Sequence, residues 1–161
     1  MIVICFKIIF LFISVGISQS AGLQTGLDAN ESSDDTIALR EWTALAEQGN
    51  LAAQVRLGDI YRYGRGVQRN YRTAVKWYTQ AAEQGCTVAQ FGLGNMYKNG
   101  QGIARDDVYA YMWLNLAASG GDPKVFELKN ELAERMTAAQ IVQAQKRAHE
   151  CAGRNYRGCT E

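Results

Sequence analysis

Between residues 50 and 120 the apolar positions follow a helical beat that breaks and restarts. Ala53, Leu57, Ile60 and Tyr61 stand at i, i+4, i+7 and i+8, one face of a helix. Gly64 and Gly66 then interrupt the beat, and a second helix is predicted from about Asn70, with Ala74, Trp77, Tyr78 and Ala81 inward, until Gly85. A glycine just past a helix end closes the last carbonyls in the left-handed conformation, which a residue with a β-carbon adopts only at a cost. The unit predicted is a helix hairpin.

The unit occurs twice. Thirty-six residues after "LGDIYRYGRGV" (57–67) stands "LGNMYKNGQGI" (93–103). Ala53-Gln54 returns as Ala89-Gln90, Ala46-Glu47-Gln48-Gly49 as Ala82-Glu83-Gln84-Gly85, Ala74 as Ala110 and Trp77 as Trp113. So many matches at one offset mark an internal repeat. The paired glycines are therefore punctuation. A dinucleotide-binding G-x-G-x-x-G follows a strand and opens a helix, whereas these follow a helix and lack the third glycine. Gly58 and Gly94 inside the first helices predict close approach of the paired helix, facing Ala74 and Ala81 or Ala110 and Ala117.

The pattern A-Q-x-x-L-G-x-x-Y-x-x-G-x-G-V, then A-x-x-W-Y-x-x-A-A-x-x-G, resembles the Sel-one-like repeat, a relative of the tetratricopeptide repeat. Residues 53–85 match almost throughout. Residues 89–121 match with Ile103 for Val and Leu114 for the aromatic, and "ALREWTALAEQG" (38–49) matches a second helix without its first. The resemblance implies an all-α fold, a short right-handed α/α solenoid of helix hairpins. The expected divisions are a half-unit at 34–49, units at 50–85 and 86–121, a capping helix pair at 122–153 and a tail at 154–161. Asp122-Pro123 reads as an N-cap with proline in the first turn, and Thr137 with Gln140 as a capping box. About seven helices result.

The N-terminus has another character. "MIVICFKIIFLFISVGISQS" carries one Lys and an apolar run from Ile8 to Ile17, and Ser18-Gln19-Ser20 has the small-x-small form of a processing site. Residues 1–20 are expected to be a signal peptide cleaved before Ala21, with a polar leader at 21–33. The run is about half of the ~20 residues a membrane span needs, so membrane contact is expected only through an uncleaved signal peptide. Removing Lys7 leaves 16 basic and 16 acidic residues. That balance argues against a nucleic-acid partner, which requires a basic excess on one surface. Arg56, Arg62, Arg65, Arg69, Arg72 and Lys76 against Asp59 form the one local excess, and charges so spaced usually make a solvated helix face.

Groups suited to catalysis are scarce. The chain from Ala21 holds one histidine, His149, near its end, and three serines. Asp106 and Asp107 stand where a helix begins, where acids favour the helix dipole. No catalytic residue, metal ligand or cofactor is predicted. Of Cys86, Cys151 and Cys159, the expected disulfide is Cys151–Cys159, because "CAGRNYRGC" has two glycines to turn the chain back in an oxidising compartment. Cys86 is then a partly buried small residue or a free thiol. Some exported relatives carry a disulfide in every repeat and are associated with penicillin binding or β-lactam hydrolysis. This chain lacks paired cysteines in each unit and any Ser-x-x-Lys beyond residue 20.

By analogy with tetratricopeptide grooves, the partner-binding face is expected to carry Val55, Asp59 and Arg62 from one unit and Phe91, Asn95 and Lys98 from the next. Phe91 and Val55 would be apolar anchors, with Arg62 and Lys98 holding a carboxylate or a peptide carbonyl. The expectation is an exported, periplasmic or secreted, non-enzymatic adaptor for a protein or peptide. The alternatives are a cell-wall-related enzyme or muropeptide or β-lactam binder, and one segment of a larger helical assembly.

Overall fold

The computed structural model describes residues 35–160. The expected signal peptide and leader lie outside the described residues. Seven α-helices follow in order: α1 (Asp35–Glu47), α2 (Leu51–Tyr63), α3 (Tyr71–Ala82), α4 (Thr87–Asn99), α5 (Asp107–Ala117), α6 (Pro123–Ala133) and α7 (Ala138–Gly153). A single 3-10 turn, Ala118–Gly120, follows α5, and no strand occurs among the described residues. Consecutive helices pack as far as α5, and α6 and α7 then both pack on α5. The architecture is the expected helical solenoid.

Five of the helices begin at a side chain that caps them. Asn50 and Asn70 accept hydrogen bonds from the amides of Ala53 and Thr73, both at 3.0 Å. Asp106 accepts from Val108 and Tyr109, and Asp122 from Lys124 with Pro123 in the first turn. Thr137 and Gln140 form the capping box. Cys86, at the corresponding place before α4, makes no capping bond. Gly64 and Gly100 end α2 and α4 at φ +70° and +66°, their amides donating to Ile60 and Met96. One bond then fixes the same turn in both units: the Asn70 amide donates to the Tyr61 carbonyl, and the Asp106 amide to that of Tyr97.

Gly58 and Gly94 do mark close helix approach; of the expected alanines Ala110 faces Gly94, its carbonyl 3.3 Å from where a β-carbon would stand, but larger side chains come closest to both glycines. A β-carbon on Gly58 would lie 2.5 Å from the Tyr78 ring, and one on Gly94 would lie 2.8 Å from the Leu114 side chain. Bulk on one helix fills the notch on the other, so the glycine provides the space rather than sharing it.

The Gln of the repeated Ala-Gln pair has a structural task that its pattern did not disclose. Gln54 Nε2 donates to the Ala46 carbonyl and Gln90 Nε2 to that of Ala82, stapling each hairpin to the helix before it. Both amides are buried; Gln54 Oε1 also accepts from Gln84 Nε2, whereas Gln90 is satisfied at its donor alone.

The apolar interior forms two clusters. A small one joins Trp42, Leu45, Ala46, Ala53, Leu57 and Ile60, with Trp77 against it. The larger one runs from Ala74 and Tyr78 through Leu93, Met96, Trp113 and Leu132 to Cys151 and Cys159. Residues 154–160 pack back on the solenoid. Cys151 and Cys159 are bonded, as expected, and both are buried. Tyr156 lies against Gly85, and the Gly158 amide donates to Glu83 Oε1 at 3.2 Å.

Candidate interaction faces

The six expected partner-binding residues fall on α2 and α4, which touch one another. All six are half-buried, and several already have partners within the chain. Asp59 accepts a hydrogen bond from the Tyr78 hydroxyl. Burial first, and then that carboxylate, push the Tyr78 phenol well above its ordinary range. Val55 and Phe91 lean on the larger core, and Asn95 Nδ2 donates to the Phe91 carbonyl at 3.1 Å. Lys98 was expected to hold a partner's carboxylate. It holds that of Glu131 on α6, at 2.8 Å.

Phe91 also borders a cavity of about 220 Å³ with Val88, Ala117, Gly120 and Val125, where α6 approaches α4 and α5. A larger open cavity, about 970 Å³, lies between the α1–α2 turn, the end of α3 and the C-terminal turn. Gln54, Trp77, Glu83, Gln84 and Tyr156 are among its lining residues.

The second unit's turn is braced by charge and stacking. Asp107 meets Arg105 at 3.3 Å and Arg135 at 2.9 Å. Partial burial opposes its ionisation, but the hydrogen bonds from the two arginines outweigh that and hold the carboxyl below its usual range. Tyr97 stacks on Tyr109 at 5.2 Å between ring centres, and Arg147 of α7 lies over Tyr109 while donating to its hydroxyl at 2.9 Å. Burial, with Tyr109 and Asp106 nearby, pushes the Tyr97 phenol up to about 12.

Other candidate chemistry is dispersed. His149 is exposed on α7, Asp106 is committed to its cap, and Cys86 is a half-buried free thiol. Among the described residues no three His, Cys, Asp or Glu side chains are grouped to hold a metal ion. No helix among them is long and apolar enough to cross a membrane.

The Sel1 repeat family model matches residues 51–86 and 87–122. A Sel1 repeat protein of known structure from Oxalobacter formigenes is 33% identical, with 70% of this chain aligned to 88% of that one at a TM-score of 0.64. The chain belongs to the Sel1 repeat family. A second solved structure, an SLR-fold protective antigen present in uropathogenic Escherichia coli strains, is 28% identical with a TM-score of 0.77. That alignment takes in 86% of this chain but only 31% of the antigen, so this chain spans less than a third of that relative. No curated protein matches. The Sel1 repeat is a protein-interaction fold, and stacked hairpins with few reactive groups suit that use.

Proposed function

We propose that this Sel1 repeat chain is an exported, non-enzymatic adaptor that holds a protein or peptide partner along the faces of α2 and α4. The observation that supports it is the contact between those two helices, one carrying Val55, Asp59 and Arg62 and the other Phe91, Asn95 and Lys98. Export is supported by the apolar N-terminal stretch and by the Cys151–Cys159 bond, which suits an oxidising compartment. Phe91 and Val55 supply apolar contact, and Arg62 supplies a guanidinium fork.

Site-specific photocrosslinking tests this reading. A photoreactive residue replacing Val55 or Asn95 should capture one defined partner in envelope or culture fractions, and the same residue replacing the exposed Val142 on α7 should not. Equal capture from all three positions, or none from any, would contradict the assigned face. Turnover of a β-lactam by homogeneous protein would contradict the non-enzymatic part.

A further inference from the structure

The two repeats differ most at their turns. Across the 36-residue offset, Arg62 faces Lys98, Tyr63 faces Asn99, Arg65 faces Gln101, Arg69 faces Arg105 and Tyr71 faces Asp107. In the second unit both cations are neutralised within the chain, Lys98 by Glu131 and Arg105 by Asp107. In the first unit, among the described residues, no carboxylate lies within 4.0 Å of Arg62, Arg65 or Arg69. The position that supplies the acid in one unit supplies Tyr71 in the other.

Those guanidinium groups lie on tyrosine faces instead. Arg62 and Arg65 sit 5.3 and 5.2 Å from the centre of the Tyr63 ring, and Arg69 sits 5.1 Å from that of Tyr71. The turn draws them together: Gly64 is left-handed, a β-carbon there would lie 3.2 Å from Arg69 Cβ, and the Asn70 amide closes on the Tyr61 carbonyl at 2.8 Å. Tyr63 is 55% exposed and Arg65 and Arg69 are exposed with it, while Arg62 is half-buried at the edge of the cluster. An arginine stacked on a ring keeps its in-plane N–H fork available, and its side chain is already ordered. Asp59 is the nearby acid, and its carboxylate is engaged by the Tyr78 hydroxyl, which Arg62 also approaches; among the described residues Arg65 and Arg69 have no such neighbour.

The geometry points to a docking surface for a carboxylate-rich peptide segment of a partner protein, held by Arg62, Arg65 and Arg69 beside Tyr63. This rests on the interaction-module reading above and adds the chemistry of the partner. Three forks at one corner of a chain whose charges balance overall favour a local acidic motif over an extended polyanion or a membrane plane. Planar carboxylates accept the two parallel N–H bonds that each fork offers.

The test uses the full chain and fluorescein-labelled peptides in which four Glu alternate with Gly, or four Gln alternate with Gly, read by anisotropy at low and moderate salt. The Glu peptide should bind at least about tenfold more tightly than the Gln peptide and weaken with salt. Arg62→Gln with Arg65→Gln should reduce binding about tenfold or more, whereas the double Lys variant should retain an intermediate affinity. Arg105→Gln and Arg135→Gln should change it less than about twofold, since those cations serve Asp107. Equal binding of the two peptides, or an unchanged affinity in the Gln double variant with native helicity, would overturn the inference. So would tighter, arginine-dependent binding to vesicles containing an anionic phospholipid, which would assign the surface to a membrane. If photocrosslinking still captures its partner from the Arg62→Gln, Arg65→Gln chain, the adaptor reading stands and only this inference falls.

Discussion

The two Sel1 repeats are built from one plan and finished differently. Both have a tyrosine, Tyr61 or Tyr97, whose carbonyl receives the turn, a glutamine staple and a glycine notch. In the second unit α6 and α7 close over α5, Trp113 is fully buried, and the turn is braced by Asp107, Tyr109 and Arg147. In the first unit the equivalent Trp77 is half-buried, the core beside it is small, and Arg65 and Arg69 are exposed. What differs is the cover on each hairpin rather than its make. Terminal cover therefore decides which repeat contributes more to stability.

The tryptophans offer the sharpest way to break that comparison. Trp113→Ala should destabilise the chain by about 3–5 kcal/mol, the range for a large aromatic removed from a closed core. Trp77→Ala should cost about half as much, because its site is open and can partly rehydrate. Denaturant unfolding of both variants checks this, and equal losses would mean that burial does not separate the units.

Next in size is the C-terminal bond. Reducing Cys151–Cys159, or replacing both cysteines with alanine, should cost about 2–3 kcal/mol by releasing a short closed loop. The effect should extend to the end of α3, since Tyr156 and Gly158 rest on Gly85 and Glu83. Thermal unfolding with and without reductant measures the loss. An unchanged midpoint would show that the turn stays docked without its bond.

The smallest effect is alkaline. Tyr78 and Tyr97 have phenols raised above the ordinary tyrosine range, chiefly by burial. Their contribution is fully present below about pH 10 and is lost as pH rises towards and past 12. Tyr78→Leu, which copies the second unit's Leu114 into the first, should flatten the stability decline above pH 10. A decline as steep as in the unchanged chain would place its origin elsewhere.

Much of this was legible locally. The repeat offset, the helix starts at Asn70 and Asp106, the caps at Asp122 and Thr137, the left-handed glycines and the Cys151–Cys159 pairing all depend on residues a few positions apart or on a repeated pattern. The glycine notches were readable as close approach, but the side chains filling them were not, because either a small or a large neighbour satisfies that pattern. Contacts between distant segments carried no signal. Lys98 meets Glu131 across 33 residues, and Gly158 meets Glu83 across 75. The expected groove was drawn without α6, whose Glu131 takes up Lys98. The arginine excess was visible, but its stacking on Tyr63 and Tyr71 required the turn geometry.

Native-state hydrogen exchange read by mass spectrometry tests the central contrast most directly. Amides of α4 and α5 around Leu93–Met96 and Met112–Leu114 should be protected at least about tenfold more than those of α1 and α2 around Trp42–Ala46 and Leu57–Ile60. Uniform protection across both units, or greater protection in the first, would contradict the account that its own C-terminal helices seal one repeat and leave the other open.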